Sequence, residues 1–282
     1  MGRRKNKPDR TPRLSDQLLD RIDHAWDVLE QGDIEAASAE AEELMDETQG
    51  HPEVRFLLGA ALLESGYPAE ALEHLESSEN RVDSQSVHTF YLASALAELA
   101  RFEEAEALFR QILEKETDKA PIQYGLAQTL EHLGQYAEAE KLYEGAYHDE
   151  PEAYPLPTRM RRNAFEKVVR EAMGSLPAEL RAHLKEVPIV VQDLPEKSVL
   201  LDGEGDPISP SVQGLFIGRS LREQSVFDPP DVPPTIFIYQ RNLERLCYSR
   251  EELIHEISLT LYHELGHYLG LEEDELEARG LE

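Results

Sequence analysis

Cysteine and tryptophan are almost absent from this 282-residue chain, each occurring once. The single thiol, Cys247, excludes an internal disulfide framework and a metal site built from several cysteines. Long hydrophobic runs are missing as well: no apolar stretch approaches the roughly 20 residues needed to cross a bilayer, and the first residues are charged instead of apolar. We therefore expect a cytoplasmic protein without a membrane span or a secretory signal.

Positive charge is also scarce, and it is unevenly placed. The chain has 57 Asp and Glu residues against 28 Lys and Arg residues, which gives a formal net charge of −29. Six of the basic residues lie within residues 1–13, whereas residues 14–153 hold 33 acids against 8 bases. So acidic a surface repels phosphate backbones, which argues against a nucleic-acid partner. Residues 1–13 are expected to form a disordered, solubilising tail or an electrostatic tether.

A 34-residue period runs through the first half of the chain. A small residue recurs at a turn position: Gly32, Gly66, Ala100 and Gly134. Five residues after each turn position is an alanine: Ala37, Ala71, Ala105 and Ala139. Seven residues before each turn position is another small residue: Ala25, Gly59, Ala93 and Ala127. Bulky residues keep the same phase at Leu75, Phe109 and Tyr143. Small residues let two helices approach closely, and glycine relaxes the turn between them. The period predicts stacked helix-turn-helix units, each plugged by a bulky side chain.

This pattern resembles the tetratricopeptide repeat, a helix-turn-helix of the same length. The resemblance covers roughly residues 17–153 and implies an all-α helical solenoid of about four units, which we assign to residues 14–153. It also implies a groove that binds a peptide or protein partner, and the acidity of the array favours a basic one. The alternative is an acidic, solvated face with no particular ligand.

Three prolines within residues 151–157 mark a boundary, because proline stops helix propagation. A second domain is expected over residues 154–282. Its pattern predicts helices over 159–173 and 177–185, strands over 187–191, 212–217 and 235–239, and a final helix from a cap at Ser249 to Gly270. Such a mixture indicates a small α+β domain.

The segment His263-Glu264-Leu265-Gly266-His267 lies in the last turns of that final helix. Two histidines four residues apart project from one helix face and can share a metal ion. Catalytic zinc usually has three protein ligands and an open fourth position, so a third donor is needed. Gly270 allows the chain to turn back so that Glu273 approaches the metal, while spacing leaves three other acids open: Glu272, Asp274 and Glu275. Glu264 would take a proton from the bound water and pass it to the leaving amine.

The spacing His263-Glu264-x-x-His267-x-x-Gly270-x-x-Glu273 resembles the minimal zincin-like metallopeptidase family. The similarity extends over about residues 160–280 and includes Gly214-Leu215-Phe216-x-Gly218. It implies a compact α+β zincin-like fold, zinc as cofactor, His263, His267 and an acidic residue at 273 as its ligands, and Glu264 as general base. The Asp- and Pro-rich insert over residues 227–234 departs from the family pattern.

Two hypotheses for the whole chain follow from these patterns. The first is a zinc metallopeptidase that hydrolyses peptides and whose repeat array recruits a substrate or partner. The alternative is a non-catalytic scaffold or adaptor, in which the array is the active part and the zincin-like domain binds metal structurally or is inactive. The sequence leaves the substrate, the cleavage preference and the oligomeric state open.

Overall fold

The computed structural model describes residues 13–79, 82–117, 119–201, 207–221, 233–271 and 274–275. It divides into two compact units, Met1–Asp149 and Glu150–Glu282, close to the boundary predicted between residues 153 and 154. The predicted basic tail lies outside the described residues except for Arg13, and so does most of the predicted insert over residues 227–234. None of the helices in the described ranges is long and apolar enough to cross a membrane.

The described part of the first unit is a series of helices without strands. Its helices are α1 (Asp16–Glu30), α2 (Ile34–Thr48), α3 (Pro52–Glu64), α4 (Pro68–Ser78), α5 (Gln85–Glu98), α6 (Phe102–Leu113), α7 (Ala120–His132) and α8 (Tyr136–Asp149). Each helix contacts the next, and the first helices of successive pairs, α1, α3, α5 and α7, also contact one another in order. This is the arrangement of a helical solenoid, which confirms the predicted all-α repeat fold.

The turn within each helix pair requires a left-handed backbone. The φ angle is 83° at Gly32, 82° at Gly66 and 73° at Gly134, and an added Cβ at these glycines would meet nothing within 4 Å. Ala100 occupies the same position in the third pair with a φ of 54°. A left-handed alanine costs about 1–2 kcal/mol of backbone strain, so the third turn keeps its shape at that cost.

The small and bulky positions of the repeat pack against one another. A Cβ added to Gly59, one of the periodic small positions, would come within 2.9 Å of Leu75 Cγ. Gly125 lies outside the period, and a Cβ added there would come within 2.9 Å of the Phe109 ring. Leu75, Phe109 and Tyr143 are each almost fully buried. The phase of small and bulky residues in the sequence therefore corresponds to the contacts between helices.

The second unit contains a three-stranded sheet and helices. Its elements are α9 (Arg162–Ser175), α10 (Ala178–His183), β1 (Ile189–Gln192), α11 (Lys197–Leu200), β2 (Gly214–Ile217), β3 (Thr235–Tyr239), α12 (Gln240–Leu246) and α13 (Arg250–Leu269). Strand β3 lies in the centre, parallel to β1 and antiparallel to β2. The predicted α+β fold is confirmed. The sequence did not predict α11 and α12, because such short helices show little apolar periodicity.

Helix α13 runs through the core of the second unit and ends at the histidine motif. Leu253, Ile257, Leu261 and Leu265 are fully buried and belong to a cluster that also contains residues of α9 and β3. The helix begins at the predicted cap, where the Ser249 hydroxyl accepts a bond of 3.1 Å from the N–H of the third helical residue. Because one whole face of α13 is buried, the orientation of its last turns, which carry the histidine motif, is fixed.

Candidate metal centre

His263 and His267 converge at the C-terminal end of α13. Their Nε2 atoms lie 2.9 Å apart, and their rings meet edge to face with centroids 4.6 Å apart. Gly270, with a φ of 82°, ends the helix, and the Leu271 N–H donates to the Gly266 carbonyl over 3.0 Å. This left-handed cap fixes the turn that carries His267. The two predicted histidine ligands are thus brought to one point.

The separation of the two imidazole nitrogens fits a shared zinc ion. Zn–N distances of about 2.0–2.1 Å in a tetrahedral site place two ligand nitrogens about 3.3 Å apart. The observed distance between the two Nε2 atoms is 2.9 Å, and a small rotation of either ring would increase it to this value.

The third predicted ligand, Glu273, lies outside the described residues, as does its rival Glu272. The other two rivals, Asp274 and Glu275, are described. Within the described ranges, no third His, Cys, Asp or Glu joins the two histidines in a group that could hold a metal ion. The described positions of Asp274 and Glu275 therefore do not supply the third ligand, and Glu273 stays a prediction.

Glu264 lies beside the histidines and is held by the neighbouring strand. Its side chain is buried, with 6% of the residue exposed. The backbone N–H of Phe216 on β2 donates to Glu264 Oε2 over 2.6 Å. A hydrogen bond to a charged acceptor is stronger than a neutral one and fixes the direction of the carboxylate. Strand β2 thus orients the predicted general base, a contact that the sequence patterns did not predict.

Gly214 allows this contact, because β2 passes very close to α13. A Cβ added at Gly214 would lie 2.5 Å from Thr260 Cγ2 and 3.2 Å from Glu264 Cγ. The strand is also held at Gln213, whose carbonyl accepts from the Tyr239 N–H over 2.8 Å. Any side chain at 214 would push β2 away from the helix.

The motif faces a cleft of about 480 Å³. Six of the residues that line it are His263, Glu264, His267, Gly214, Phe216 and Gly270. Its volume lies within the range of about 300–1,000 Å³ that is typical of ligand sites. The histidines, the glutamate and the strand edge therefore face one cavity that is large enough for part of a peptide.

Two tyrosines lie close to this site but belong to the core. Burial raises the pKa of Tyr239 to about 12, and the negative charge of Glu264 acts in the same direction, so this phenol stays neutral. Tyr268 is also buried, its ring packs edge to face on Phe216, and its hydroxyl donates to Glu186 Oε2 over 3.4 Å. No sequence pattern singles out Tyr239, since an aromatic residue at a strand end is usually a core residue.

A long helix with two converging histidines and a buried glutamate, packed on a strand of a small α+β unit, is similar to the arrangement of a zincin-type metallopeptidase site. Residues 184–281 match the model of the zincin-like metallopeptidase family. Tetratricopeptide repeat models match residues 22–82 and 96–156. These matches confirm both resemblances found in the sequence. No curated protein matches the chain.

Proposed function

We propose that the second unit hydrolyses peptide bonds with a zinc ion held by His263, His267 and Glu273. The observation that carries the proposal is the arrangement within one cleft: two Nε2 atoms 2.9 Å apart beside a buried carboxylate that is oriented by the Phe216 N–H. When bound, zinc supplies Lewis acidity, which lowers the pKa of a water molecule and polarises a carbonyl group.

Glu264 is the general base and acid of the proposed reaction. Its carboxylate takes a proton from the attacking water while the water oxygen bonds to the peptide carbonyl carbon. Glu264 then gives this proton to the amide nitrogen, so that the C–N bond breaks and the amine leaves. The bond from Phe216 keeps the carboxylate in one orientation for both transfers. Such pre-organisation lowers the cost of reaching the transition state.

We also propose that the repeat array recruits a protein or peptide partner of basic character, and no nucleic acid. The tetratricopeptide matches support a role in protein–protein interaction. The excess of acids in the array, 33 against 8 bases over residues 14–153, favours a positively charged partner. The partner can be the substrate itself or a protein that delivers it.

The experiment for the proposed reaction compares Glu264→Gln with a matched control on the same helix. Glu251→Gln makes the same chemical change at an exposed position in the first turn of α13. Zinc content is measured by mass spectrometry, and cleavage is measured with a mixed peptide library. We expect about one zinc per chain in all three proteins, with cleavage reduced about 10²–10⁴-fold only in Glu264→Gln.

Two results would reject the proposed reaction. One is a wild-type protein that neither retains zinc nor cleaves any peptide in the library. The other is a Glu264→Gln variant that holds zinc and cleaves as fast as Glu251→Gln. Either result, together with partner binding by the array, would favour the non-catalytic scaffold.

A further inference from the structure

The first helices of the repeat pairs carry a cluster of aromatic side chains. The ring centroid of Trp26 on α1 lies 4.8 Å from that of Phe56 on α3 and 5.8 Å from that of Tyr91 on α5. Trp26 and Tyr91 are half-buried, so part of each residue reaches solvent. Phe56 itself is buried, so the part of this cluster that reaches solvent comes from Trp26 on α1 and Tyr91 on α5.

Two carboxylates flank these rings. Glu30 lies one turn after Trp26 on α1, and Glu64 holds the equivalent position on α3, since each precedes its turn glycine by two residues. Both are exposed. Burial raises the pKa of Tyr91 to about 12, and the charges of Glu64 and Glu30 add to this, so both carboxylates act on the phenol.

Neither carboxylate is neutralised within the described part of the chain. Glu30 and Glu64 have no ion pair or hydrogen bond through their side chains with any described residue. Some other acids of the array do have cationic partners: Arg21 pairs with Glu40 and Glu47, Arg101 with Glu104, and Arg110 with Glu106 and Glu138. A pair of exposed carboxylates beside half-buried aromatic rings, with no cationic partner among the described residues, is complementary to a cation from another molecule.

We propose that Trp26, Tyr91, Glu30 and Glu64, supported by the buried ring of Phe56, form an aromatic–acidic surface that binds an arginine side chain in a basic segment of a partner protein. The carboxylates pair with the guanidinium group, and the rings of Trp26 and Tyr91 contact its flat face. The inference rests on the proposed partner-binding role of the array, and it specifies the chemistry of the partner.

Trp26 makes the surface directly observable, because it is the only tryptophan in the chain. The full-length protein is titrated with a hexa-arginine peptide while tryptophan emission is recorded. A hexa-citrulline peptide, similar in shape but uncharged, is the control probe. We expect a saturable change of emission with hexa-arginine and none with hexa-citrulline.

Substitutions distinguish binding at this surface from binding to the general negative charge of the protein. Glu30→Gln with Glu64→Gln should weaken hexa-arginine binding by about tenfold, since it removes both ion pairs. The matched control is Glu42→Gln with Glu144→Gln, which removes two exposed carboxylates from the second helices α2 and α8 and should change affinity less than about twofold. Circular dichroism checks that both proteins stay folded.

The aromatic part of the surface is tested at Tyr91. Tyr91→Phe keeps a ring and should bind within about twofold of the wild type, whereas Tyr91→Leu removes it and should bind several-fold more weakly. Equal affinity of the Phe and Leu variants would reject the aromatic contact. An equal loss in the two double carboxylate variants would show binding by overall charge alone and would overturn the proposal.

Other occupants of the surface give different results. Trp26 emission that changes with protein concentration in the absence of a probe would indicate a second copy of the chain. A shift of emission on deletion of residues 1–12 would indicate that the chain's own basic segment is the ligand. Either result would overturn the proposal of a partner protein. Zinc content is measured on the same variants, and it reports on the proposed metal site alone, so failure here is distinguishable from failure of the proposed hydrolysis.

Discussion

Replacement of Gly214 by alanine tests the contact between strand β2 and helix α13. The new methyl group would lie 2.5 Å from Thr260 Cγ2, whereas carbon atoms in contact are normally about 3.5–4.0 Å apart. The strand must therefore move by about 1 Å or more. The bond from the Phe216 N–H to Glu264 is 2.6 Å long and would stretch beyond the hydrogen-bond range of about 3.2 Å.

Two magnitudes follow from this displacement. Overpacking of this kind destabilises a core by about 1–3 kcal/mol. Misplacement of Glu264, the proposed general base, by about 1 Å should reduce the proposed peptide cleavage by about 100-fold. Zinc content should change little, because His263 and His267 belong to the helix and not to the displaced strand. The signature of Gly214→Ala is thus a modest loss of stability with a large loss of turnover.

The assay combines urea denaturation with peptide cleavage for three variants. Thr260→Ser removes the clashing methyl group, so the double variant Gly214→Ala/Thr260→Ser should recover most of the lost cleavage. The contacts that would then remain, at 3.2 Å from Glu264 Cγ and from the Phe237 carbonyl, need a shift of only a few tenths of an ångström. Gly174→Ala is the control, since a Cβ there meets nothing within 4 Å. Full activity in Gly214→Ala would refute the role of this contact.

The repeat array gives two further predictions. Leu75 is fully buried between helices, so Leu75→Ala should lower the free energy of unfolding by about 2–5 kcal/mol, measured by urea denaturation; an unchanged midpoint would contradict its packing role. His88 is fully buried, its Nε2 lies 2.9 Å from the Leu75 carbonyl, and burial lowers its pKa below 6.5. The unfolded chain then binds a proton more readily than the folded one, so stability is full above about pH 6.5 and falls at lower pH. His88→Gln should therefore show a smaller loss of unfolding free energy between about pH 7.5 and about pH 5.5 than the wild type, and an identical loss would reject this role for His88.

The repeat fold is predictable because similar residues occupy structurally equivalent positions every 34 residues. Gly32, Gly66 and Gly134 sit at equivalent left-handed turns, and the repeat period detects them together. The aromatic–acidic surface is different. Its rings, those of Trp26, Phe56 and Tyr91, occupy three different positions of the repeat, so only the stacking of helices brings them together.

The candidate site is predictable only along its helix. Four-residue spacing brings His263 and His267 to one face, and the left-handed Gly270 ends the helix as predicted. Glu264, however, is oriented by the backbone N–H of a residue 48 positions away in the chain. Every non-proline residue has such an N–H, so no sequence motif identifies this bond.

Metal reconstitution shows whether the cleft around His263 and His267 is the catalytic zinc site that we propose. The full-length protein is stripped of metal with a chelator and titrated with zinc while peptide cleavage is measured. The proposed site predicts no cleavage without metal and a linear recovery that stops at about one zinc per chain. Cleavage that is unaffected by removal of zinc, or one bound zinc with no cleavage of any peptide in the library, would contradict it.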